Sequence, residues 1–184
     1  MRLAPEGRFI VLPLLILTAL AVWQYDSLGL SLVIPWFFVG LLVFCITFFR
    51  DPIRTVPAGE NFIIAPADGK IVKITDVNDT DVGEAQLVSI FLNVFNVHCN
   101  RMPIDGTFTS VKYEKGKFLA AFDHKASDEN ERTEITISSK IGPVKVKQIA
   151  GLIARRILCY AKNGISMEMG GRLGFIRFGS RTDL

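Results

Sequence analysis

Two long apolar runs open the chain, and a series of short ones follows. Phe9 to Trp23 is apolar apart from Pro13 and Thr18, and Leu28 to Phe49 carries no charge over 22 residues. About 20 apolar residues cross the hydrocarbon core of a bilayer, so the pattern predicts a transmembrane hairpin, with helices at about residues 9–25 and 28–49. Trp23, Tyr25 and Trp36 suit interfacial positions. Two plainer readings compete. A signal peptide would need a small-residue cleavage site, yet Trp23 is followed by Gln24-Tyr25-Asp26-Ser27 and then by the second run. A buried core helix would need cover on every face, which a chain of 184 residues hardly supplies.

From Asp51 onward the pattern changes to short runs broken by Gly, Pro, Asn and Asp. Ile135-Thr136-Ile137 and Val144-Lys145-Val146-Lys147 alternate with period two, as half-buried strands do. Strands are expected at Phe62–Ala65, Lys70–Asp76, Gln86–Phe95, Thr107–Glu114, Thr133–Ser139, Val144–Ile153, Ile165–Met169 and Phe175–Phe178. Turns are expected at Ala67-Asp68-Gly69, Ile104-Asp105-Gly106 and Ile141-Gly142-Pro143. Only Ala150–Ala161 has helical character, and it could equally extend a strand. The prediction is a membrane anchor over residues 1–50, then a mainly β domain over 51–184, built as a β-sandwich or partly closed barrel.

Charge and cysteine usage narrow the functional classes. A net charge of +3 without a long Lys/Arg run gives no footprint for nucleic acid. Cys45, Cys99 and Cys159 form no C-x-x-C pair, which argues against a disulfide framework or a cysteine metal site and fits a reducing compartment. Arg2 and Arg8 precede the hairpin, Arg50 and Arg54 follow it, and the connecting turn has no basic residue. By the positive-inside rule both ends, and the β domain, face the cytoplasm at the cell membrane.

Candidate chemistry is sparse. The histidines are His98 and His124. His98 ends an apolar strand in Phe95-Asn96-Val97-His98-Cys99-Asn100-Arg101-Met102-Pro103, a common place for a site; its plain reading is a half-exposed strand-end histidine. His124 lies between Asp123 and Lys125 and reads as solvated. Asp68 is first a turn residue before Gly69, and second an acid able to orient an imidazole. Gly179-Ser180 follows a strand-like run; a glycine there can adopt backbone that brings the serine Oγ to the preceding carbonyl, although most Gly-Ser pairs are loops. No nucleophile elbow, P-loop or dinucleotide fingerprint is present in the sequence.

In order and spacing, these segments resemble the short, membrane-anchored branch of the phosphatidylserine decarboxylase family. The resemblance runs from the apolar hairpin through Phe49-Arg50-Asp51-Pro52, Pro66-Ala67-Asp68-Gly69-Lys70, the His98 segment and Asn130-Glu131-Arg132. It ends in Gln148-Ile149-Ala150-Gly151-Leu152-Ile153-Ala154-Arg155-Arg156 and Gly174-Phe175-Ile176-Arg177-Phe178-Gly179-Ser180-Arg181. It implies a proenzyme that cuts itself between Gly179 and Ser180, converts Ser180 to a pyruvoyl cofactor without a metal, and decarboxylates phosphatidylserine to phosphatidylethanolamine. His98, oriented by Asp68, would be the base. Arg101 stands where the longer-chain branch has a second histidine, and is either a lipid phosphate or carboxylate contact or a surface arginine. The implied partners are a membrane phospholipid and the small pyruvoyl subunit; a homo-oligomer is compatible. Family members continue some thirty residues beyond the serine, so a chain ending at Leu184 reads as truncated or as completed by a separate piece. The same chemistry on an archaeal-type ether lipid, and a non-catalytic membrane-tethered β-rich binding domain, are the alternatives.

Overall fold

The two N-terminal helices hold their prolines differently, Pro13 inside the first and Pro35 in the opening turn of the second. The computed structural model describes residues 2–25, 31–59, 62–121, 126–152, 156–177 and 179–184, and the chain divides into Met1–Ile53 and Arg54–Leu184. In the first unit, α1 is Arg8–Gln24 and α2 is Val33–Phe48. Starting α2 at Val33 puts Pro35 in the first turn, where its missing N–H has no helical partner to lose. The turn residues 26–30 expected between the helices lie outside the described residues.

The two helices pack through a narrow seam. Val11, Leu14 and Thr18, at i, i+3 and i+7, are the buried residues of α1. The Thr18 hydroxyl donates to the Leu14 carbonyl at 2.7 Å and reaches the Phe38 carbonyl on α2 at 3.4 Å. The rest of the surface is apolar and bare: Phe9, Trp23 and Trp36 are at least 70% exposed. Strands β1 (Arg2–Leu3) and β2 (Arg50–Asp51) pair antiparallel and close the unit. Pro5–Gln24, 20 residues, is long and apolar enough to cross a membrane, whereas Val33–Phe48 is shorter. At about 1.5 Å per residue the first spans roughly the 30 Å hydrocarbon core and the second falls short of it.

The second unit is mainly β. Its strands are β3 (Lys70–Asp79), β4 (Gly83–Leu92), β5 (Cys99–Arg101), β6 (Gly106–Glu114), β7 (Arg132–Ser139), β8 (Gly142–Ala150), β9 (Ile157–Cys159), β10 (Ser166–Met167), β11 (Arg172–Ile176) and β12 (Ser180–Asp183), with a single-turn helix α3 (Ala126–Glu129). Seven of them form one antiparallel sheet in the order β10-β6-β7-β8-β12-β4-β3, and three form a second in the order β5-β11-β9. Met102, Phe108, Ile135, Ile137, Val146 and Leu173 make one core cluster to which both sheets contribute. Each such fully buried side chain contributes about 1.5–3 kcal/mol.

Several expectations change here. The domain is mainly β as expected, and β10 and β3 remain edges of the larger antiparallel sheet among the described residues. Phe62–Ala65 is irregular; Ile64 N–H donates to the Pro103 carbonyl instead of joining a ladder. Within Ala150–Ala161 the described residues hold no helix but the strand β9, residues 153–155 lying outside them. The expected strand Phe175–Phe178 is displaced to Arg172–Ile176, and Phe178 is outside the described residues. The sequence pattern gave no sign of β12.

An ionic cluster ties β3, β7 and β8 together. The Lys145 ammonium, 8% exposed, lies 2.7 Å from an oxygen of Asp79 and 2.7 Å from one of Asp81, and 3.7 Å from Glu134. Burial would raise the Asp79 carboxyl, but the Lys145 hydrogen bond and charge, with the Asp81 and Val82 backbone N–H groups, hold it below its usual value. Burial would lower Lys145, yet hydrogen bonds to Asp79 and Asp81 hold it above its usual value. Depressed carboxyls stabilise the fold above about pH 4 and lose that as pH falls through their folded values; the raised lysine stabilises below about pH 10 and loses it as pH rises further. Lys145→Met should therefore cost about 3 kcal/mol at pH 7, because three carboxylates lose their shared cation. In urea unfolding of the full chain, the gap to wild type should shrink below about pH 4; a gap independent of pH would refute this role.

Candidate active site

Ser180 begins a strand that has almost no apolar content and yet is wholly buried. Ser180, Arg181, Thr182 and Asp183 are each at most 1% exposed. They form β12 between β4 and β8, with Ser180 opposite Leu92 on one side and Ala150 on the other. Such a strand survives in the middle of a sheet only if its side chains are paired. Arg181 Nε donates to Asp183 Oδ1 at 2.7 Å, and its other end reaches Ser89 Oγ at 2.5 Å. Ser127 Oγ donates to Asp183 Oδ2 at 2.8 Å. Thr182 Oγ1 accepts from Asn100 Nδ2 at 3.1 Å, and Gln148 Nε2 donates to Asn100 Oδ1 at 2.8 Å.

Ser180 is the exception on this strand. Its Oγ is buried and has no hydrogen-bond partner among the described residues. A buried hydroxyl left unpaired costs about 1–3 kcal/mol, so its retention asks for a reason other than stability. The residue before it supplies one. Gly179 has φ +73°, the left-handed region that a side chain disfavours, at the point where the chain leaves β11 of the smaller sheet and enters β12 of the larger.

His98 sits at this crossing, immediately before β5. Its carbonyl accepts from Ile176 N–H at the end of β11, and its ring, 6.4 Å from that of Phe175, is fully buried. Gly179 N–H donates to Nε2 at 3.3 Å, and Nδ1 lies 3.0 Å from the Asn96 carbonyl. Only the neutral imidazole protonated on Nδ1 satisfies both contacts. The lone pair of Nε2 therefore faces the backbone next to Ser180. The plain expectation of a half-exposed histidine does not hold.

The other two candidates have different partners. Asp68 binds the Arg54 guanidinium and is 42% exposed, so the group on Nδ1 is a backbone carbonyl and not this carboxylate. Its turn does lie against β5, since the Pro66 carbonyl accepts from Arg101 N–H at 2.8 Å. The Arg101 guanidinium reaches the Gly170 carbonyl at 3.4 Å. The structure thus brings Gly179, Ser180 and His98 together and leaves Asp68 and Arg101 on other contacts. Among the described residues, no three His, Cys, Asp or Glu side chains converge as metal ligands would. His124 lies outside the described residues.

The same residues lie within a known family. The profile described as phosphatidylserine decarboxylase matches residues 41–184. A protein of Ralstonia nicotianae is 52% identical over 151 residues, 81% of this chain and 70% of the relative. One of Burkholderia multivorans is 52% identical over 151 residues, 81% of this chain and 71% of the relative. One of Chlorobium limicola is 48% identical over 149 residues, 80% of this chain and 70% of the relative. Each is named a phosphatidylserine decarboxylase proenzyme. The chain belongs to the phosphatidylserine decarboxylase family.

Seen as a family member, the chain has a polar frame that its sequence did not announce. Asn100 and Gln148 lie in segments that carry the resemblance, but nothing in their spacing shows that they meet across β12. Asn130 is a further case: buried, it accepts from Leu119 N–H at 2.8 Å and donates to the carbonyls of Leu119 and Ala150. Its neighbour across the ladder from Ala150 is Ser180. The frame is testable through the ion pair on β12. Asp183→Ala strands the Arg181 guanidinium in the interior and should cost about 3–5 kcal/mol, read as a lowered urea midpoint; a loss below about 1 kcal/mol would be surface-pair behaviour and would contradict the burial argued here.

Proposed function

We propose that this chain is a membrane-anchored, self-cleaving decarboxylase that converts phosphatidylserine to phosphatidylethanolamine, with Ser180 as precursor of a pyruvoyl group. One observation carries the assignment of Ser180: its buried Oγ has no partner, directly after a positive-φ glycine whose N–H rests on a neutral imidazole. Such a hydroxyl suits attack on a neighbouring carbonyl better than it suits a structural hydrogen bond.

The self-cleavage we infer balances as follows. Ser180 Oγ adds to the Gly179 carbonyl carbon, while His98 Nε2 takes the hydroxyl proton and returns it to the Ser180 nitrogen as the C–N bond breaks. The amide has then become an ester with a free amine. Loss of the Ser180 Cα proton breaks the Cβ–Oγ bond, and Gly179 leaves as a carboxylate. Water then displaces ammonia from the residue left behind. The resulting ketone supplies an electron sink for decarboxylation. The β4 and β8 ladders and the Arg181–Asp183 pair keep the new terminus in place once the covalent link is gone.

Asp68 and Arg101 complete the proposal. Asp68 stabilises charge on the imidazole by exchanging Arg54 for His98; its turn is already tied to β5, the strand that follows His98, through Arg101 N–H. Arg101, half-buried, binds the lipid phosphate or carboxylate. The Pro5–Gln24 and Val33–Phe48 helices form a transmembrane hairpin whose flanking arginines keep the β domain on the cytoplasmic side, where a head group can be reached without extracting the lipid. We read the seven-stranded and three-stranded sheets as the β-sandwich or partly closed barrel of this domain.

Ser180→Ala should abolish conversion of phosphatidylserine in mixed vesicles, read by lipid mass spectrometry. The same variant should unfold at a higher urea concentration, because an unpaired buried hydroxyl has been removed. Normal turnover by this variant would remove Ser180 from the mechanism. His98→Ala and Asp68→Asn should each slow chain cleavage at least tenfold on denaturing gels, and wild-type rates would place the base elsewhere.

A further inference from the structure

The Gly179 carbonyl lies against Gly151. Gly151 follows β8 directly and is buried. Its φ is not in the positive range, so conformational freedom does not account for a glycine there. Space does. A Cβ at this position would lie 2.4 Å from the Gly179 carbonyl oxygen and 3.2 Å from its carbon, with the Ala121 Cβ at 3.1 Å. The first distance is far inside van der Waals contact, and its partner is backbone that cannot rotate aside. The position is fixed by the ladder: Ser180 is opposite Ala150, whose N–H donates to the Glu131 carbonyl and whose carbonyl accepts from Asn130. Gly151 is therefore held against the one peptide group on which the cleavage acts.

We infer that Gly151 is a positioning residue for self-cleavage: its bare Cα gives the Gly179 carbonyl oxygen the room to leave the peptide plane as Ser180 Oγ adds. When the carbonyl carbon becomes tetrahedral, the C=O bond lengthens and the oxygen moves out of the amide plane. A methyl group at residue 151 would occupy the space beside that oxygen in the starting state and push the carbonyl off line from Oγ. A displacement of about 1 Å between reacting groups is enough to cost about a hundredfold in rate. Ala121, the other atom close to that position, touches no reacting atom in this account and serves as the control.

This inference rests on the self-cleaving reading of Ser180, and the test separates the two. Wild type, Gly151→Ala and the double variant Gly151→Ala/Ala121→Gly are expressed as full chains in detergent, and cleavage is followed by intact mass. Hydroxylamine is added in parallel, since it cuts an accumulated Gly179–Ser180 ester but not an amide. If wild type stays uncut, the self-cleaving reading itself fails. Given a wild type that cuts, Gly151→Ala should be folded by circular dichroism, cleave at least tenfold more slowly, and yield no hydroxylamine-sensitive ester, because the block precedes ester formation. The double variant should stay equally slow, since the clash is with the carbonyl and not with Ala121. Wild-type cleavage by Gly151→Ala, rescue by Ala121→Gly, or an ester that accumulates would each overturn the inference. So would failure of both variants to fold, which would make Gly151 a requirement of the sheet and not of the reaction.

Discussion

The burial of β12 is the constraint on which the site depends. A strand of Ser180, Arg181, Thr182 and Asp183 in the middle of a sheet removes a cation, an anion and two hydroxyls from water at once. The interior compensates with partners from three directions, Ser89 on β4, Asn100 on β5 and Ser127 on α3, and Gln148 on β8 in turn holds Asn100. Among the described side chains of β12, Ser180 Oγ alone is left over. That hydroxyl lies at the junction between Gly179 and β12 with no competing bond to break. The pairing of Arg181 with Asp183 does not add stability over an apolar strand of similar volume; it fixes the register in which Ser180 faces Ala150 and Leu92.

The second element of the site is a change of sheet. β11 pairs with β5 in the smaller sheet, and β12 begins the return path in the larger one. The polypeptide has to turn between them, and Gly179 makes that turn with positive φ. His98 belongs to the same crossing, since its carbonyl closes the end of the β5–β11 ladder while its ring meets Gly179. Strand pairing thus brings together an imidazole and a serine that are 82 positions apart in the sequence. The Asn96 carbonyl, two residues before His98, sets the tautomer locally and needs no distant acid to do it.

This explains what could be read from the sequence and what could not. The short apolar runs located β6, β7 and β8 to within three residues, because each has one face on the shared core and one toward solvent or charge. β12 was illegible for the opposite reason: both of its faces are buried, and polar partners do the covering, so neither period nor composition marks it. β9 is too short to carry a period, and its neighbours Gly151–Arg156 imitate a helix in composition. Ser180 and His98 emerged from the order of motifs, whereas the turn chemistry of Asp68 gave no information on its partner, which is Arg54. Nothing in the sequence around Gly151 marks it, because what its missing side chain makes room for is a carbonyl 28 positions further along.

The central claim is that the bond between Gly179 and Ser180 is poised to break by its own neighbours, and the chemical state of that bond tests it most directly. Intact-mass measurement of the purified wild-type chain, with sequencing of any new terminus, should find one piece ending at Gly179. The other piece should begin at position 180, blocked to amine reagents and lighter than a serine terminus by one ammonia. A folded chain that stays whole, or one cut elsewhere with a free serine amine, would contradict the account.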